Sequence, residues 1–575
     1  MIIKYSGDMS SLTNAEGVSA TFLLGGYAIV TISPNQVEAF LAQANIDFVE
    51  RPRQLFFNVE NAIAASCIPR NRIFRRINNR VVDERLTGAG VIVGIIDSGI
   101  DYRHPDFRRE NGDTRIIGIW DQSLEADGFE GAAAPAGYNQ GLFFAQERIN
   151  QSLRNPEEAI PTVDLSGHGT QVAGLAGGNG RASEGRYAGV APDCDLLIVK
   201  LGNSRGDSFP QTAQLMEGID FCVRTAMERQ QPIAINISLG NNFGSHSGDS
   251  LVETYIDTVC GIWKNVICIG SGNEGGMGRH YGGRVGFEGQ GIGRQTNEQT
   301  LEGLYEQVEI AVSDFQTAFT FELWKYYADE MEIAIKEPGG QTSPAITTVN
   351  PIYEGMLGET RVNVLLREPT PFNSLSEVSI SLVPVGDYIQ PGIWTIQLRP
   401  VAVKNGEFEI WLPAGNVLRP ATRFLRPVEE KTLTIPSTAK RAITVGAYDS
   451  NRNTIASFSG RGFTWGNQYK KPELVAPGVD IISPTPGGNY SVASGTSVAA
   501  PIVSGSAAIY MEWGIVRGND TDLYGEKLKA LMEKNSQSVQ DASLLPARSP
   551  GSGERGTESL PNPQWGWGAL CVEDR

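Results

Sequence analysis

Residues 91–97 read VIVGIID, an uninterrupted apolar run that ends in an aspartate. Three similar runs follow along the chain: LLIVKLG at 196–202, PIAINISLG at 232–240 and VICIGSG at 266–272. Between them lie segments with helical periodicity, at 211–230 and 249–263. Continuous apolar strands that alternate with helices are typical of a parallel sheet covered on both faces. The sequence therefore predicts an α/β fold with a mostly parallel sheet and helices on both sides.

A second kind of pattern occupies residues 301–430. Here short strand-like segments, such as QVEIAVSDF at 307–315 and EVSISLVPV at 377–385, are separated by Pro, Gly, Asn and Asp, with few helical patterns. This predicts an inserted antiparallel β-sandwich, resembling a jelly roll, within the α/β unit. The α/β domain is then divided into a first part at 67–300 and a second part at 431–575.

The first 66 residues form a small module of their own. A strand-like run covers residues 21–33, a helix-like segment residues 34–43, and a second strand-like segment residues 48–57. This pattern predicts an α+β module too small to hold an active site. Near the other end, residues 536–563 are polar and rich in Ser, Pro and Gly, which predicts a surface loop.

The composition narrows the classes of partner. With 48 Lys and Arg against 65 Asp and Glu, the net charge is −17, which argues against nucleic acid and anionic membranes. No basic segment leads into an apolar one at the start, so we expect neither a signal peptide nor a membrane span. The scattered cysteines indicate reduced thiols, as in cytoplasmic proteins; they are Cys67, Cys194, Cys222, Cys260, Cys268 and Cys571.

Three short motifs contain candidate catalytic residues. Asp97 ends the first apolar run, His168 lies between glycines in DLSGHGTQVAG at 164–174, and Ser497 lies in SGTSVAAP at 494–501. Taken singly, each is more often a cap or a structural residue. The chain has three other histidines, for which we expect structural roles: His104, His246 and His280.

Together the motifs occur in the order Asp, His, Ser, each within an extended match, and in this the chain resembles the subtilase family. The resemblance implies that Ser497 is the nucleophile and His168 the general base. It also implies that Asp97 orients the imidazole and stabilises its charged form. A neutral serine hydroxyl needs such a base, because it is a poor nucleophile.

A fourth motif, ICIGSGNEGG at 267–276, resembles the family segment that presents an oxyanion-binding asparagine. Asn273 is the residue implied, acting with the backbone N–H of Ser497. The same stretch also satisfies the G-x-G-x-x-G pattern of a dinucleotide site at Gly270, Gly272 and Gly275. GMGRHYGG follows at 276–283 in place of the helix that such a site requires, which favours the protease.

The resemblance also implies how a substrate is held. Ser238, Leu239 and Gly240 correspond to the strand that pairs with the substrate and forms one wall of the primary pocket, while Ser271 and Gly272 form the other wall. The opposing strand is expected near Gly206. The chemistry requires no cofactor or metal. A structural calcium stays open, because residues 177–193 do not reproduce the calcium-loop pattern of compact secreted members.

The N-terminal module fits the family's propeptide, an intramolecular chaperone that the enzyme removes itself. Cleavage is then expected near Ala64-Ala65-Ser66-Cys67; the alternative is a permanent adaptor domain that is never cut. Together with the inserted sandwich and QWGWGAL at 564–570, this organisation resembles the clostridial Csp germination-protease branch. The resemblance implies a serine endopeptidase that activates a precursor of a spore cortex-lytic hydrolase, in the cytoplasm or the spore.

Two other functions stay open. A catalytically silent subtilase could act as a binding or signalling protein, although an intact triad and Asn273 favour the enzyme. The sandwich could instead bind carbohydrate or a partner on a platform of Trp324, Trp394 and Trp411, although core packing explains such aromatics more simply. The expected partners are a protein substrate and the chain's own propeptide, and the sequence does not indicate an oligomeric state.

Overall fold

The structure is a computed structural model of the 575-residue chain. It describes residues 1–6, 18–33, 37, 40, 46–52, 56–57, 74–77, 80–83, 86–125, 132–202, 210–286, 306–467, 469–537 and 560–572. Four predictions fall wholly or mostly outside these ranges: the cleavage segment at 64–67, Gly206, most of the helix at 34–43 and most of the loop at 536–563.

The N-terminal domain is built on one antiparallel sheet with the strand order β2-β3-β1-β4. Its strands are β1 (Ile2–Tyr5), β2 (Val18–Leu23), β3 (Tyr27–Ile32) and β4 (Ile46–Glu50). The prediction of one strand over 21–33 was wrong, because the chain reverses at Gly25 and Gly26. Both glycines have positive φ, at 74° and 78°, which allows the tight turn.

Three short strands lead from this domain into the α/β domain, which the family resemblance implies is the catalytic domain. They are β5 (Phe56–Phe57), β6 (Phe74–Ile77) and β7 (Arg80–Asp83). β6 and β7 pair with each other as a hairpin. β5 instead pairs with a strand of the catalytic domain. The N-terminal domain is therefore connected to the catalytic domain by backbone pairing as well as by the chain itself.

The first part of the catalytic domain alternates strands and helices, as predicted. Its strands are β8 (Ile92–Asp97), β9 (Ile116–Asp121), β10 (Leu142–Ala145), β11 (Asp195–Lys200), β12 (Ile233–Ile237), β13 (Leu239–Gly240) and β14 (Asn265–Gly270). Its α-helices are α1 (Gln146–Arg154), α2 (His168–Gly177), α3 (Thr212–Arg229) and α4 (Leu251–Val259).

The insert consists of two antiparallel sheets, with strand orders β15-β23-β17-β21-β20-β19 and β18-β22-β16-β24. Its strands are β15 (His280–Arg284), β16 (Glu306–Val312), β17 (Phe319–Tyr326), β18 (Glu330–Lys336), β19 (Ile352–Leu357), β20 (Thr360–Leu366), β21 (Leu375–Pro384), β22 (Gly392–Ala402), β23 (Glu407–Trp411) and β24 (Arg423–Phe424).

The first strand of the insert, β15, lies before residue 301, where the sequence places the boundary. Its sequence, HYGGR, contains two glycines and lacks the alternation that marks a strand. Trp324, Trp394 and Trp411 are 6%, 1% and 1% exposed and form no open platform. Trp394 packs in the core of the sandwich, whereas Trp324 and Trp411 pack with Trp465 of the α/β domain.

The second part of the catalytic domain completes the central sheet and adds two helices. Its elements are β25 (Ile443–Asp449), β26 (Thr454–Ile455), β27 (Leu474–Pro477), β28 (Ile481–Thr485), β29 (Asn489–Ala493), α5 (Thr496–Met511) and α6 (Gly525–Asn535). The central sheet has the order β10-β9-β11-β8-β12-β14-β25-β26, with β27 also paired to β25.

The prediction of a mostly parallel sheet covered on both faces is confirmed. Neighbours between β9 and β25 are parallel, and the pairs formed by β10 and β26 are antiparallel. Side chains of β8 alternate between two cores: Val93 packs with α2 and α5, and Ile92 packs with α3 and α4. Asp97, at the carboxyl end of β8, thus lies at the edge where open α/β folds place their sites.

No helix among the described residues is long and apolar enough to cross a membrane. The cysteines within the described ranges are all buried thiols: Cys194, Cys222, Cys260, Cys268 and Cys571.

Candidate active site

Asp97 and His168 form the centre of the site. Asp97 is fully buried at the end of β8, and His168 is the first residue of α2. The Nδ1 atom of His168 lies 2.6 Å from Oδ1 of Asp97, and the backbone N–H of Ser98 donates to the same oxygen at 2.7 Å. A carboxylate at this nitrogen holds the proton on Nδ1, so that Nε2 carries the lone pair of a general base.

Asp164 supports the histidine and was missed at the level of sequence. Its Oδ1 accepts hydrogen bonds from Ser98 Oγ and Gly167 N, and its Oδ2 accepts from the N–H and hydroxyl of Thr170, all at 2.7–2.9 Å. These bonds connect the end of β8 to both sides of His168. The spacing of Asp164, four residues before His168 and six before Thr170, was the available signal.

The loop after β8 and the first turn of α2 approach each other closely at Gly169. A Cβ atom at this position would lie 2.1 Å from the carbonyl oxygen of Gly99. Real Cβ atoms do not approach an oxygen so closely, so only glycine brings the first turn of α2 against the loop after β8. The glycine that follows His168 in the motif thus has a packing role.

Ser497 is the second residue of α5 and is 2% exposed. Its carbonyl oxygen accepts a hydrogen bond from Ser238 Oγ at 3.1 Å, and Ser238 Oγ in turn accepts one from Asn236 Nδ2 at 2.9 Å. The side chain of Ser238 therefore supports the nucleophile's turn. This end of α5 is the positive end of the helix dipole, which favours negative charge.

Asn273 has a fixed amide orientation. Its Oδ1 accepts hydrogen bonds from the N–H and the hydroxyl of Thr496, at 3.0 and 3.1 Å. Nδ2 must then face the opposite side. A Cβ atom on Gly495 would lie 2.9 Å from Ser497 Oγ and 3.4 Å from Asn273 Nδ2, so the two atoms border one small space that glycine leaves open. A developing oxyanion in this space could accept from the Asn273 amide.

We expect Asn273→Ala to lower kcat by about 10²–10³-fold, equivalent to about 3–4 kcal/mol, with little change in KM. The amide acts on charge that develops only in the transition state, so ground-state binding should not change. Peptide hydrolysis per titrated active site measures both constants. The surface substitution Asn451→Ala is the control, and a kcat within threefold of wild type for Asn273→Ala would contradict this role.

The strand predicted to pair with a substrate is β13, and in this structure it pairs with β5, from the segment that follows the N-terminal sheet. β5 pairs antiparallel with β13, with Phe57 opposite Leu239 and Phe56 opposite Gly240. A protease that accepts many sequences holds its substrate by backbone pairing of this kind. Leu239 and Gly240 therefore bind a segment of the chain in the way that the resemblance implies for a substrate.

The other predicted wall of the pocket is tightly packed. Ser271 is fully buried, and its backbone pairs with Val445 and Thr434. The N–H of Gly272 donates to Thr496 Oγ1 at 3.1 Å, and a Cβ atom here would lie 2.5 Å from Thr434 Cγ2. In the described part of 270–286, β14 is followed by a turn and β15, not by the helix of a dinucleotide site.

The other three histidines occupy structural positions. His104 accepts from Asp106 N at 3.2 Å, and His280 Nε2 lies 2.8 Å from Glu409 Oε2. His246 stacks on Trp411 with ring centroids 4.0 Å apart, and burial lowers its pKa to about 3. In the described part of the chain, no group of three or more His, Cys, Asp or Glu side chains could hold a metal.

The N-terminal domain docks on α3 and α4 through buried polar contacts. Asp220, fully buried on α3, accepts from Leu24 N at 2.8 Å and from the hydroxyls of Tyr138 and Tyr255 at 2.8 and 3.0 Å. Glu50 Oε2 accepts from Leu251 N at 2.9 Å, where a carboxylate favourably meets the N-terminus of α4. These contacts hold β5 over the site.

Glu217 lies in the same interface and titrates near neutral pH. Burial raises its pKa to about 7, while hydrogen bonds from Gln140 and from Thr21 of the N-terminal domain oppose the shift and Asp220 adds to it. Because this pKa lies above the ordinary 4.5, the docked state binds a proton that a solvated Glu217 would release. Docking is then strongest in acid and weakens as the pH rises from about 4.5 to about 7.

After cleavage, we expect the N-terminal domain to dissociate roughly five- to tenfold faster at pH 8 than at pH 5. Fluorescently labelled N-terminal domain, chased with unlabelled domain, gives the rate. Glu217→Gln should remove most of this pH dependence, because glutamine cannot ionise. Glu228→Gln, on an exposed position of the same helix, is the control. Equal pH profiles for wild type and Glu217→Gln would refute the assignment.

A family model described as the subtilase family matches residues 88–316 and 403–568, which include Asp97, His168, Asn273 and Ser497. The chain belongs to the subtilase family. A second model, the Csp protease B prodomain, matches residues 1–53. The unmatched residues 317–402 lie in the sandwich.

A solved structure, that of the Clostridium perfringens CspB protease, superposes with a TM-score of 0.73 at 33% identity, covering 88% of this chain and 94% of that one. Among curated proteins, serine protease AprX of Bacillus subtilis is 30% identical over 33% of this chain and 35% of its own length. Minor extracellular protease Vpr of the same organism is 22% identical over 83% of this chain and 52% of its own length. The matches thus span about a third to a half of these relatives.

These similarities confirm the predicted family and its Csp branch, and they identify the N-terminal domain as a prodomain. The family model includes Asp97 and His168, whose pairing is the arrangement expected of a subtilase site.

Proposed function

We propose that this chain is an active serine endopeptidase that cuts peptide bonds through an acyl-enzyme on Ser497. The observation that carries the proposal is the 2.6 Å contact between Asp97 and His168 Nδ1, which sets Nε2 as the base. Ser497 Oγ attacks the carbonyl carbon while His168 takes its proton. The Asn273 amide and the Ser497 N–H stabilise the oxyanion, and His168 then protonates the leaving amine. Water releases the acyl group by the same steps.

The prodomain is the enzyme's first substrate in this proposal. β5 pairs with β13 as a substrate would, and β13 follows Ser238, whose hydroxyl contacts the Ser497 carbonyl. Because the pairing is antiparallel, the C-terminal end of β5 lies opposite Leu239, the residue next to Ser238. This favours cleavage shortly after Phe57, whereas the family resemblance in the sequence predicts cleavage near residues 64–67. Whether the enzyme cuts its own chain also decides between the two interpretations of the N-terminal domain: a propeptide is removed, and a permanent adaptor domain is never cut.

The physiological reaction is limited cleavage of a protein precursor, with a spore cortex-lytic hydrolase as the proposed substrate. The similarity to the CspB protease supports this choice. The docked prodomain also supports it, because a cleft covered by its own propeptide is suited to selective processing. A cytoplasmic or spore-associated location stays a prediction of the sequence.

A catalytically silent subtilase is the second candidate, favoured by the buried contacts that hold the prodomain over the cleft. Purified wild type and Ser497→Ala decide between the two. We expect wild type to be cut between residues 57 and 67, by intact mass and N-terminal sequencing, and to react with a fluorophosphonate probe. Ser497→Ala should do neither. A full-length wild-type chain that resists the probe would exclude the active enzyme, and equal cleavage of both proteins would exclude autoprocessing.

A further inference from the structure

A cavity of about 750 Å³ lies where the three structural units meet. Its walls are residues 48–52 of the prodomain, part of the segment after β13, and the outward face of the larger sandwich sheet. The sheet contributes side chains of β17 and β21, among them Glu322, Trp324 and Glu377, with Arg367 and Glu368 just after β20. The family assignment gives no role to this surface.

The strand pairing places the cavity relative to the cleft. Residues 48–52 come four to eight positions before Phe56, which pairs with Gly240. Because the C-terminal end of β5 lies opposite Leu239, next to Ser238, residues 48–52 lie on the N-terminal side of the proposed bond to be cut. The cavity is therefore adjacent to the path of a polypeptide in the cleft, upstream of its paired residues.

The wall that remains without the prodomain is acidic with an apolar floor. It contains four carboxylates, of Asp249, Glu322, Glu368 and Glu377, against the single guanidinium of Arg367. Asp249 pairs with Lys440 at 2.6 Å and Glu377 with Arg367 at 3.2 Å. Glu322 accepts from Gly244 N at 2.8 Å and from Trp324 Nε1 at 3.0 Å, so its position is fixed. Trp324 and Leu375 supply apolar surface.

The prodomain contributes a cation to the lining of this cavity. Arg51 is exposed and is one of the residues that line the cavity, as is Glu50, whose carboxylate accepts from Leu251 N. Glu368 is exposed on the opposite wall. A carboxylate-rich wall attracts Lys and Arg and repels Asp and Glu. The occupant in this structure is an extended segment that brings one cation, Arg51, and one carboxylate, Glu50, which is bound at the N-terminus of α4.

We propose that this wall is a substrate exosite, which binds a basic, extended segment several residues before the scissile bond once the prodomain has left. The proposal rests on the proposed endopeptidase activity and assigns a specificity role to the inserted sandwich. The prodomain occupies the exosite and the paired strand together, and a protein substrate would replace it at both.

The prodomain's own sequence supplies the probes. A short peptide of residues 54–70 covers the proposed bonds, a long peptide of residues 46–70 adds the segment that lines the cavity, and a third carries Arg51→Glu and Arg53→Glu in the long peptide. Processed enzyme is counted by fluorophosphonate titration. We expect kcat/KM to be about tenfold higher for the long peptide than for the short one, mainly through a lower KM. The third peptide, with both arginines changed to glutamate, should lose this gain.

In Glu368→Arg the gain from the long peptide should fall to twofold or less, with the short peptide cleaved as in wild type. Glu359→Arg, an exposed carboxylate of the sandwich outside the cavity, is the control and should keep the gain. The gain should also shrink at high salt. Equal kcat/KM for the three peptides, or an unchanged gain in Glu368→Arg, would overturn the exosite alone. No cleavage of even the short peptide would overturn the proposed activity and the exosite with it.

Discussion

Ser497→Ala and His168→Ala are each expected to lower kcat by about 10⁶-fold, the loss known for the same residue types in subtilisin. The double variant should lose no more than either single one, because the serine and its base act as a unit. Asp97→Asn should cost about 10⁴-fold, since an amide at 2.6 Å from Nδ1 favours the wrong imidazole tautomer. Single-turnover hydrolysis of a peptide measures all four variants.

The KM values and a control variant test whether these losses arise from the catalytic step. KM should change little, because none of the three side chains contributes uniform binding of the substrate. Asp113→Asn, a carboxylate in a surface ion pair with Arg154, is the matched control and should retain wild-type kcat. Additive losses in the double variant, or Asp97→Asn within tenfold of wild type, would show that the three groups do not act together.

Glu473→Gln is expected to lower the free energy of unfolding by about 3–5 kcal/mol. Glu473 is buried between two lysines: Lys471 Nζ lies 2.9 Å from its Oε1, and Lys529 Nζ lies 2.7 Å from the same oxygen. The N–H of Thr444 donates to Oε2 at 2.7 Å. Removing the carboxylate leaves two buried ammonium groups without their counter-ion, which loosens the contact between β25, β27 and α6.

Urea unfolding measures this loss, with Ser497→Ala as the common background so that autolysis does not interfere. Glu526→Gln, on the exposed side of α6, is the control and should change stability by less than about 0.5 kcal/mol. Burial opposes ionisation of Glu473, but the two lysines hold its pKa below the ordinary value. Its stabilising contribution is thus lost as the pH falls through that lowered pKa, and Glu473→Gln should lack this acid sensitivity.

Some features escaped the sequence for identifiable reasons. The hairpin of β2 and β3 was missed because residues 21–33 form one largely apolar run in which only two glycines mark the turn. The start of the sandwich at β15 was missed because its pairing with β23, more than a hundred residues later, decides its strand character. Asp164 precedes the histidine by four residues, but its role depends on Ser98, which lies in another motif.

The sequence by itself determined the order of Asp97, His168 and Ser497, the residue types of the site, and the alternation of apolar strands and helices. Each of these is recorded in a short contiguous stretch, where strand ends and helix starts show in the local pattern. Only the tertiary structure decided how Asn273 is oriented, how Glu473 lies between two lysines, and that the prodomain strand occupies β13. Those contacts join residues that are far apart in the chain. The sequence around one residue of such a pair does not show which distant residue it will contact, because the fold brings the two together.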